Sequence, residues 1–204
     1  KGNGILTRAA HDRIGVKKIV FSFSDDLLTT VVRMKWWKDW KEELDDVFNS
    51  VGISSSSVIR CMLARLPPKT HIGIHHDTGR WATLSHRVHV PIQTEPNAVV
   101  FRSGTSPTTL RRFAFFQDGV FELNNRAKHQ VYNGWNKHRV HLIFDWVPSA
   151  EVLRSIRFLQ CNAHQGPCLT RRSFLGICGS KEGAKNVLIE YKCKRSAYAR
   201  PSKE

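Results

Sequence analysis

The chain contains no long apolar run. Nowhere do its 204 residues approach the roughly eighteen to twenty consecutive apolar residues that a bilayer-spanning helix needs, and no charged-then-apolar signal segment opens the sequence. No membrane span is therefore expected within it. Cysteine is sparse: Cys61, Cys161, Cys168, Cys178 and Cys193 are odd in number and unevenly placed. That excludes the dense disulfide scaffold of small secreted domains and favours a reducing compartment, so the expected location is cytoplasmic. The chain opens at Lys1 rather than Met, which leaves an upstream targeting or membrane segment compatible with the sequence. Acidic residues are also in short supply, 17 against 32 Lys and Arg, for a formal net charge of +15.

A surplus of that size raises nucleic acid as a partner, because neutralised phosphates dominate such affinities. Its distribution argues otherwise. Residues 151–204 hold eleven Lys or Arg against four acids, but Arg171, Arg172, Lys181, Lys185, Lys192, Lys194 and Arg195 are dispersed with few aromatics between them, so no stacking platform for bases is visible. A solvated basic face is the preferred reading. Cys161, His164 and Cys168 form one possible zinc-ligand cluster, whereas a structural zinc site normally shows two close ligand pairs.

What is present is ordinary globular composition, 41% hydrophobic and 24% charged, in a chain long enough for one domain with a sizeable core and an appendage. Leu27, Leu28, Val31, Val32, Met34, Trp36, Trp37, Trp40, Leu44, Val47 and Phe48 recur mostly at threes and fours, which predicts two amphipathic helices over residues 25–50. The three tryptophans are expected to pack a helix on a sheet. After residue 57 the period changes. Runs at 58–66, 70–75, 87–93, 98–101, 110–116, 120–123, 129–132 and 139–147 are short and rich in β-branched and aromatic residues, with turn signals such as Pro67-Pro68, Asp118-Gly119 and Asn133-Gly134 between them. Eight strands at that spacing predict a mainly β sandwich or double-sheet jelly roll, with Asp118-Gly119 as a hairpin turn. The expected organisation is an N-terminal helical region over 1–52 packed on the barrel, a β core over 53–148 and a basic C-terminal extension over 149–204. In that extension a helix is expected at 151–160 and a strand at 186–192.

The chemistry concentrates between His75 and Asp145. Side chains two apart on a strand share a face, so His75 and Asp77 can point into a barrel mouth while His76 points away. His129 follows some fifty residues later, and two imidazoles with one carboxylate make the facial triad that leaves positions open on Fe(II). Arg139, ten residues beyond His129, can enter the same cavity, where a guanidinium binds a carboxylate through two parallel hydrogen bonds. Arg87 and His89 face one way on another strand, and an interior lined by Arg87, His89 and Arg139 suits a diacid. Singly, each of these residues has a plainer reading: surface groups in loops, core histidines at His89 or His141, an Arg139–Asp145 ion pair. Alternation aims several of them at one cavity.

His75-x-Asp77, Arg87-Val-His89-Val-Pro91, the segment from Asp118 to Asn125, His129-x-Val-x-Asn133-Gly134 and Arg139-Val-His-Leu-Ile-Phe-Asp145 together resemble the aspartyl/asparaginyl β-hydroxylase family of Fe(II)- and 2-oxoglutarate-dependent oxygenases, over about 58–147. The resemblance implies a double-stranded β-helix of jelly-roll, cupin-like form. It implies His75, Asp77 and His129 as iron ligands, Arg139 as the anchor of the distal carboxylate of 2-oxoglutarate, and Arg87 with His89 as further co-substrate or substrate contacts. It also implies O2 as the oxidant and an Asp, Asn or Pro side chain, free or in a peptide, as the group hydroxylated. Some members of the family keep only the two histidines; Asp77 places this chain with the three-ligand branch. Trp81 and Asn133, near the ligands in sequence, are candidate substrate contacts. Two alternatives stay open: a non-catalytic cupin-like metal-binding module, and a basic nucleic-acid-binding protein acting through its tail.

Overall fold

Residue 11, residues 13–117 and residues 119–160 are described by the computed structural model. Among them eleven strands form two sheets. The strands are β1 (Lys17–Ser24), β2 (Thr30–Arg33), β3 (Val58–Leu66), β4 (Thr70–His75), β5 (His86–Gln93), β6 (Val99–Gly104), β7 (Arg111–Phe113), β8 (Phe121–Leu123), β9 (Lys128–Asn133), β10 (Arg139–Trp146) and β11 (Arg157–Gln160). The large sheet runs β11-β2-β1-β3-β10-β5-β8 and the small one β4-β9-β6-β7. From β3 to β10 the chain passes large, small, large, small, small, large, small, large. That winding is a double-stranded β-helix, the jelly-roll architecture expected.

The order follows from composition. β3 and β10 are the most continuously apolar segments and are buried on both faces, so they pair at the centre of the large sheet, Leu63 opposite Leu142 and Cys61 opposite Phe144. A run apolar on both faces is stable only when both faces are covered. One face of the large sheet carries Ile19, Phe21, Leu63, Leu142 and Phe144, which pack with Trp36, Trp37, Trp40, Leu44 and Phe48. The other face turns toward the small sheet, where Leu66, Val99, Phe101, Phe115 and Val131 meet. Burying one such side chain contributes about 1.5–3 kcal/mol, so the tryptophan cluster anchors the N-terminal segment to the sheet.

That segment differs from the two helices expected. One α-helix forms, α1 (Lys41–Asn49), preceded by a 3-10 turn at Lys35–Trp40; residues 30–33 instead make β2, paired with β1 through Phe23–Val32. Threefold and fourfold spacing is ambiguous over so short a stretch, and the β-branched run Thr30-Val31-Val32 finds a strand partner in β1. The tryptophans do pack on the sheet, with the Trp36 Nε1–H donating to the Val20 carbonyl at 2.9 Å. The expected helix at 151–160 is likewise corrected. A short helix, α2 (Ala150–Arg154), gives way to β11, which pairs in parallel with β2. Asp118 lies outside the described residues, and β7 and β8 belong to different sheets, so the chain around Gly119 crosses between sheets instead of turning a hairpin. The strand expected at 186–192, the Cys161, His164 and Cys168 cluster and the basic run of the tail also lie outside the described residues. Among those described, no helix is long and apolar enough to cross a membrane.

Candidate metal and anion site

β4 ends at His75 and pairs with β9 so that His75 sits opposite His129. The two rings are adjacent, with centroids 4.3 Å apart. Each ring is fixed in the same way: His75 Nδ1 lies 2.9 Å from the Gly73 carbonyl and His129 Nδ1 2.9 Å from the Ala127 carbonyl. A carbonyl only accepts, so in the neutral ring Nδ1 carries the proton and Nε2 keeps its lone pair. That is the second-sphere pattern by which proteins orient imidazole ligands. Burial pushes the His129 imidazole down to about 4, which keeps it in the neutral form a metal needs. His76, the neighbour rejected on strand alternation, is exposed and accepts a hydrogen bond from Lys128 Nζ at 2.7 Å.

Asp77 lies just past the strand and not on it. Its backbone N–H donates to the Asn125 carbonyl at 2.8 Å, and its buried carboxylate accepts from Arg87 Nη1 at 2.5 Å. Arg87 then forks across Asp145, with Nε on one oxygen at 2.8 Å and Nη2 on the other at 2.9 Å. Burial works against the Arg87 charge, but Asp145 and Asp77 outweigh it and hold the guanidinium charged beyond its usual range. With these donors committed, Arg87 has a different part from the co-substrate contact expected: it bridges two carboxylates and fixes Asp77. Among the described residues no three His, Cys, Asp or Glu side chains are grouped as a metal would need. The two imidazoles stand together, while Asp77 is held by Arg87.

Arg139 is the opposite case. It is buried, its Nε and Nη2 have no hydrogen-bond partner, and burial alone pushes its guanidinium down to about 9. The plainer reading of an Arg139–Asp145 pair does not hold, because Asp145 is taken by Arg87. Around Arg139 stand two buried histidines. His89 Nδ1 and His141 Nδ1 are 3.4 Å apart, and both Nε2 atoms are unpartnered. Burial, with the Arg139 charge adding to it, drives both imidazoles well below their ordinary value, so both are neutral. If the facing Nδ1 atoms share one proton, one ring offers an Nε2–H and the other an Nε2 lone pair. His89 stacks on Phe121 at 5.0 Å, and Phe101 and Phe115 complete an aromatic wall.

A cavity of ≈ 120 Å³ reaches both arginines. Arg87 and Arg139 line it with Lys18, Arg60, Ile72 and Ile143, and among the described residues no carboxylate lines it. His11 lines it too, its ring 6.1 Å from that of His75. An unpaired buried cation is costly unless an anion meets it, so the donor set of Arg139 fits a carboxylate, and the two backbone-anchored imidazoles fit a divalent metal.

The structure moves both candidate substrate contacts elsewhere. Trp81 is fully buried, with Arg60 stacked on it at 3.6 Å and Arg87 at 5.2 Å; it supports Arg87 from behind. Gly79, at φ +100°, leaves room for that indole, since a Cβ there would lie 2.9 Å from Trp81 Nε1. Asn133 is also buried, and its Nδ2 donates to the Leu66, Pro67 and Lys137 carbonyls, which makes it a clamp between turns. Sequence reasoning missed Arg60, Asp145 as the partner of Arg87, and His11. Only Arg60 left a signal, a charge on the same alternation as Met62 and Ala64 in an apolar strand.

A family model described as aspartyl/asparaginyl β-hydroxylase matches residues 42–148. Among solved structures, an oxidoreductase of the 2OG-Fe(II) oxygenase family from Burkholderia pseudomallei is similar at 14% identity and TM-score 0.49, over 65% of this chain and 67% of that one. A cupin domain from Bordetella pertussis is similar at 17% identity and TM-score 0.34, over 48% and 88%. The plu4264 protein of Photorhabdus luminescens is similar at 13% identity and TM-score 0.34, over 47% and 66%. A search of curated protein sequences found no match.

Proposed function

The chain belongs to the aspartyl/asparaginyl β-hydroxylase family, and from that premise we propose that it is an Fe(II)- and 2-oxoglutarate-dependent oxygenase that hydroxylates an amino-acid side chain. The observation that carries the co-substrate is Arg139: buried, without a carboxylate, its Nε and Nη2 unpartnered, on a cavity that Arg87 connects to Asp77. A guanidinium in that condition calls for a carboxylate bound through two parallel hydrogen bonds.

His75 and His129 would hold the metal through Nε2, with Asp77 as the third ligand. Bound there, Fe(II) supplies the redox chemistry that couples 2-oxoglutarate and O2 to hydroxylation, with succinate and CO2 released. The protein's own residues bind, orient and exclude water. Arg139 takes the distal carboxylate of 2-oxoglutarate, and the His89–His141 pair offers it one further N–H. Arg87 holds the Asp77 carboxylate in place through Nη1, while Asp145 balances the charge of Arg87. Phe101, Phe115 and Phe121 pack against the His89–His141 pair and keep that end of the interior apolar, which strengthens each of these interactions.

The test is direct. Full-length protein with Fe(II) should bind 2-oxoglutarate anaerobically and, in air, convert it to succinate. Asp77→Ala and His129→Ala should abolish turnover, and Arg139→Met should weaken binding by about 2–3 kcal/mol. Unimpaired turnover in both ligand variants would overturn the metal assignment, and unchanged binding in Arg139→Met the co-substrate assignment.

A further inference from the structure

The outer face of the small sheet is basic and uncompensated. Its four strands carry Arg102, Arg111, Arg112 and Lys128 and no Asp or Glu. Alternation places Phe101, His129 and Val131 inward, so Arg102, Arg112, Lys128, Gln130, Tyr132 and His71 face outward. Arg102 stands directly opposite Arg112, a like-charged cross-strand pair that destabilises a sheet unless an anion covers it. Among the described residues none of the four basic side chains is paired with a carboxylate. Arg112 is held in place by its Nη2, which donates to the Pro96 carbonyl at 3.0 Å.

The face also connects to the candidate site. Lys128 precedes His129 and holds His76, and exposed Arg126 sits in the turn whose Asn125 carbonyl takes the Asp77 N–H. From β9 to β7 is two strand spacings, about 10 Å, more than a free amino acid bound at His75 and His129 could span. Tyr132, 41% exposed and edge-on to His71, is the only large aromatic on the face among the described residues. One such ring is a poor platform for a run of stacked bases.

We infer that the substrate is a polypeptide whose acidic residues, flanking the side chain to be hydroxylated, dock on Arg102, Arg112 and Lys128 across the outer face of the small sheet. This rests on the hydroxylase reading above and adds the surface on which the acidic flanks of the substrate dock. The experiment measures binding to the full chain, by fluorescence anisotropy, of a labelled Glu-rich peptide with one central Asn, of its Gln-for-Glu counterpart and of a single-stranded RNA of equal charge. The Glu peptide should bind at least about tenfold tighter than the Gln peptide at low salt, with the margin shrinking as salt rises. The double variant Arg102→Glu/Arg112→Glu should erase the margin, and Arg102→Gln/Arg112→Gln should reduce it while avoiding new charge that could disturb folding. Reversing the exposed Lys35 and Lys38 on the opposite side of the molecule should leave it intact. Equal affinity for the two peptides, an equal loss on reversing Lys35 and Lys38, or tighter binding of RNA than of the Glu peptide would each overturn the proposal. Anaerobic 2-oxoglutarate binding is measured on the same preparations. Its absence in the unaltered protein would overturn the hydroxylase reading, whereas its persistence in the double variant alongside lost peptide binding supports the dock.

Discussion

Two interior arginines, Arg87 and Arg139, divide the barrel interior into unlike halves. Around Arg87 the charges are matched: one guanidinium bridges Asp77 and Asp145, and Trp81 lies against it. Around Arg139 they are not, since two of its nitrogens and the Nε2 atoms of His89 and His141 lack partners. A matched buried network holds itself together and fixes geometry, whereas an unmatched one costs stability until something else supplies the missing contacts. The first half behaves as scaffold and the second as a receptor. Carrying an unpaired charge in a fold of ordinary stability is the form that binding energy takes before a ligand arrives.

The largest test of this contrast is Arg87→Met. It leaves the Asp77 and Asp145 carboxylates buried without their partner, and should destabilise the protein by about 3–5 kcal/mol in urea unfolding. Arg139→Met should do the reverse. Removing a lone buried cation should leave stability unchanged or raised, while 2-oxoglutarate affinity in calorimetry falls by about 2–3 kcal/mol, the worth of charged hydrogen bonds. A ligand at 100 times its Kd adds about 2.7 kcal/mol to stability, so 2-oxoglutarate with Fe(II) should raise the melting temperature of the unaltered protein and not that of Arg139→Met.

A smaller effect comes from the histidine pair. His89 and His141 are held neutral in the fold, well below the ordinary value of 6.5. The unfolded chain takes up protons there as pH drops through that value and the folded protein does not, so stability should fall from pH 7 toward acid and level off only below the folded values. His141→Phe should flatten that pH dependence in thermal melts. Least of all, Lys41→Ala on the exposed side of helix α1, which breaks the surface pair with Asp45, should cost about 0.3–0.5 kcal/mol. A comparable loss in Arg87→Met would erase the distinction between a buried network and a surface ion pair.

The strands of the β-helix were readable because their side-chain period is two and each is bounded by Pro, Gly or Asn. β3, β4, β5, β9 and β10 fall within a residue or two of the expected bounds. β1 was missed although Ile19-Val20-Phe21 is a strand-like run, since its near partner β2 read as helix and its other partner β3 lies far along the chain. Periodicity misjudged residues 27–34 for a related reason: a stretch that short fits both periods, and only the presence of β1 decides between them. Of the candidate ligands, His75 lies beside His129 while His76 is turned to the exposed side. Alternation could not foresee that Asp77 lies past the strand end, oriented by Arg87 and Asn125 and not by the pleat. Trp81 and Asn133 lay near the ligands along the chain yet turned inward, Trp81 behind Arg87 and Asn133 onto three carbonyls.

The sequence alone determined the eight-strand core, the family it resembles and the residue types available for a metal and a diacid, because these follow from periodicity and spacing along one chain. Which charges neutralise each other was decided only in three dimensions. Arg87 and Asp145 are 58 residues apart in sequence and meet because β5 and β10 pair in one register, Arg87 opposite Asp145. At the other end of β10, Arg139 stands opposite Leu66 of β3, beyond that network, where no carboxylate of the described chain reaches it.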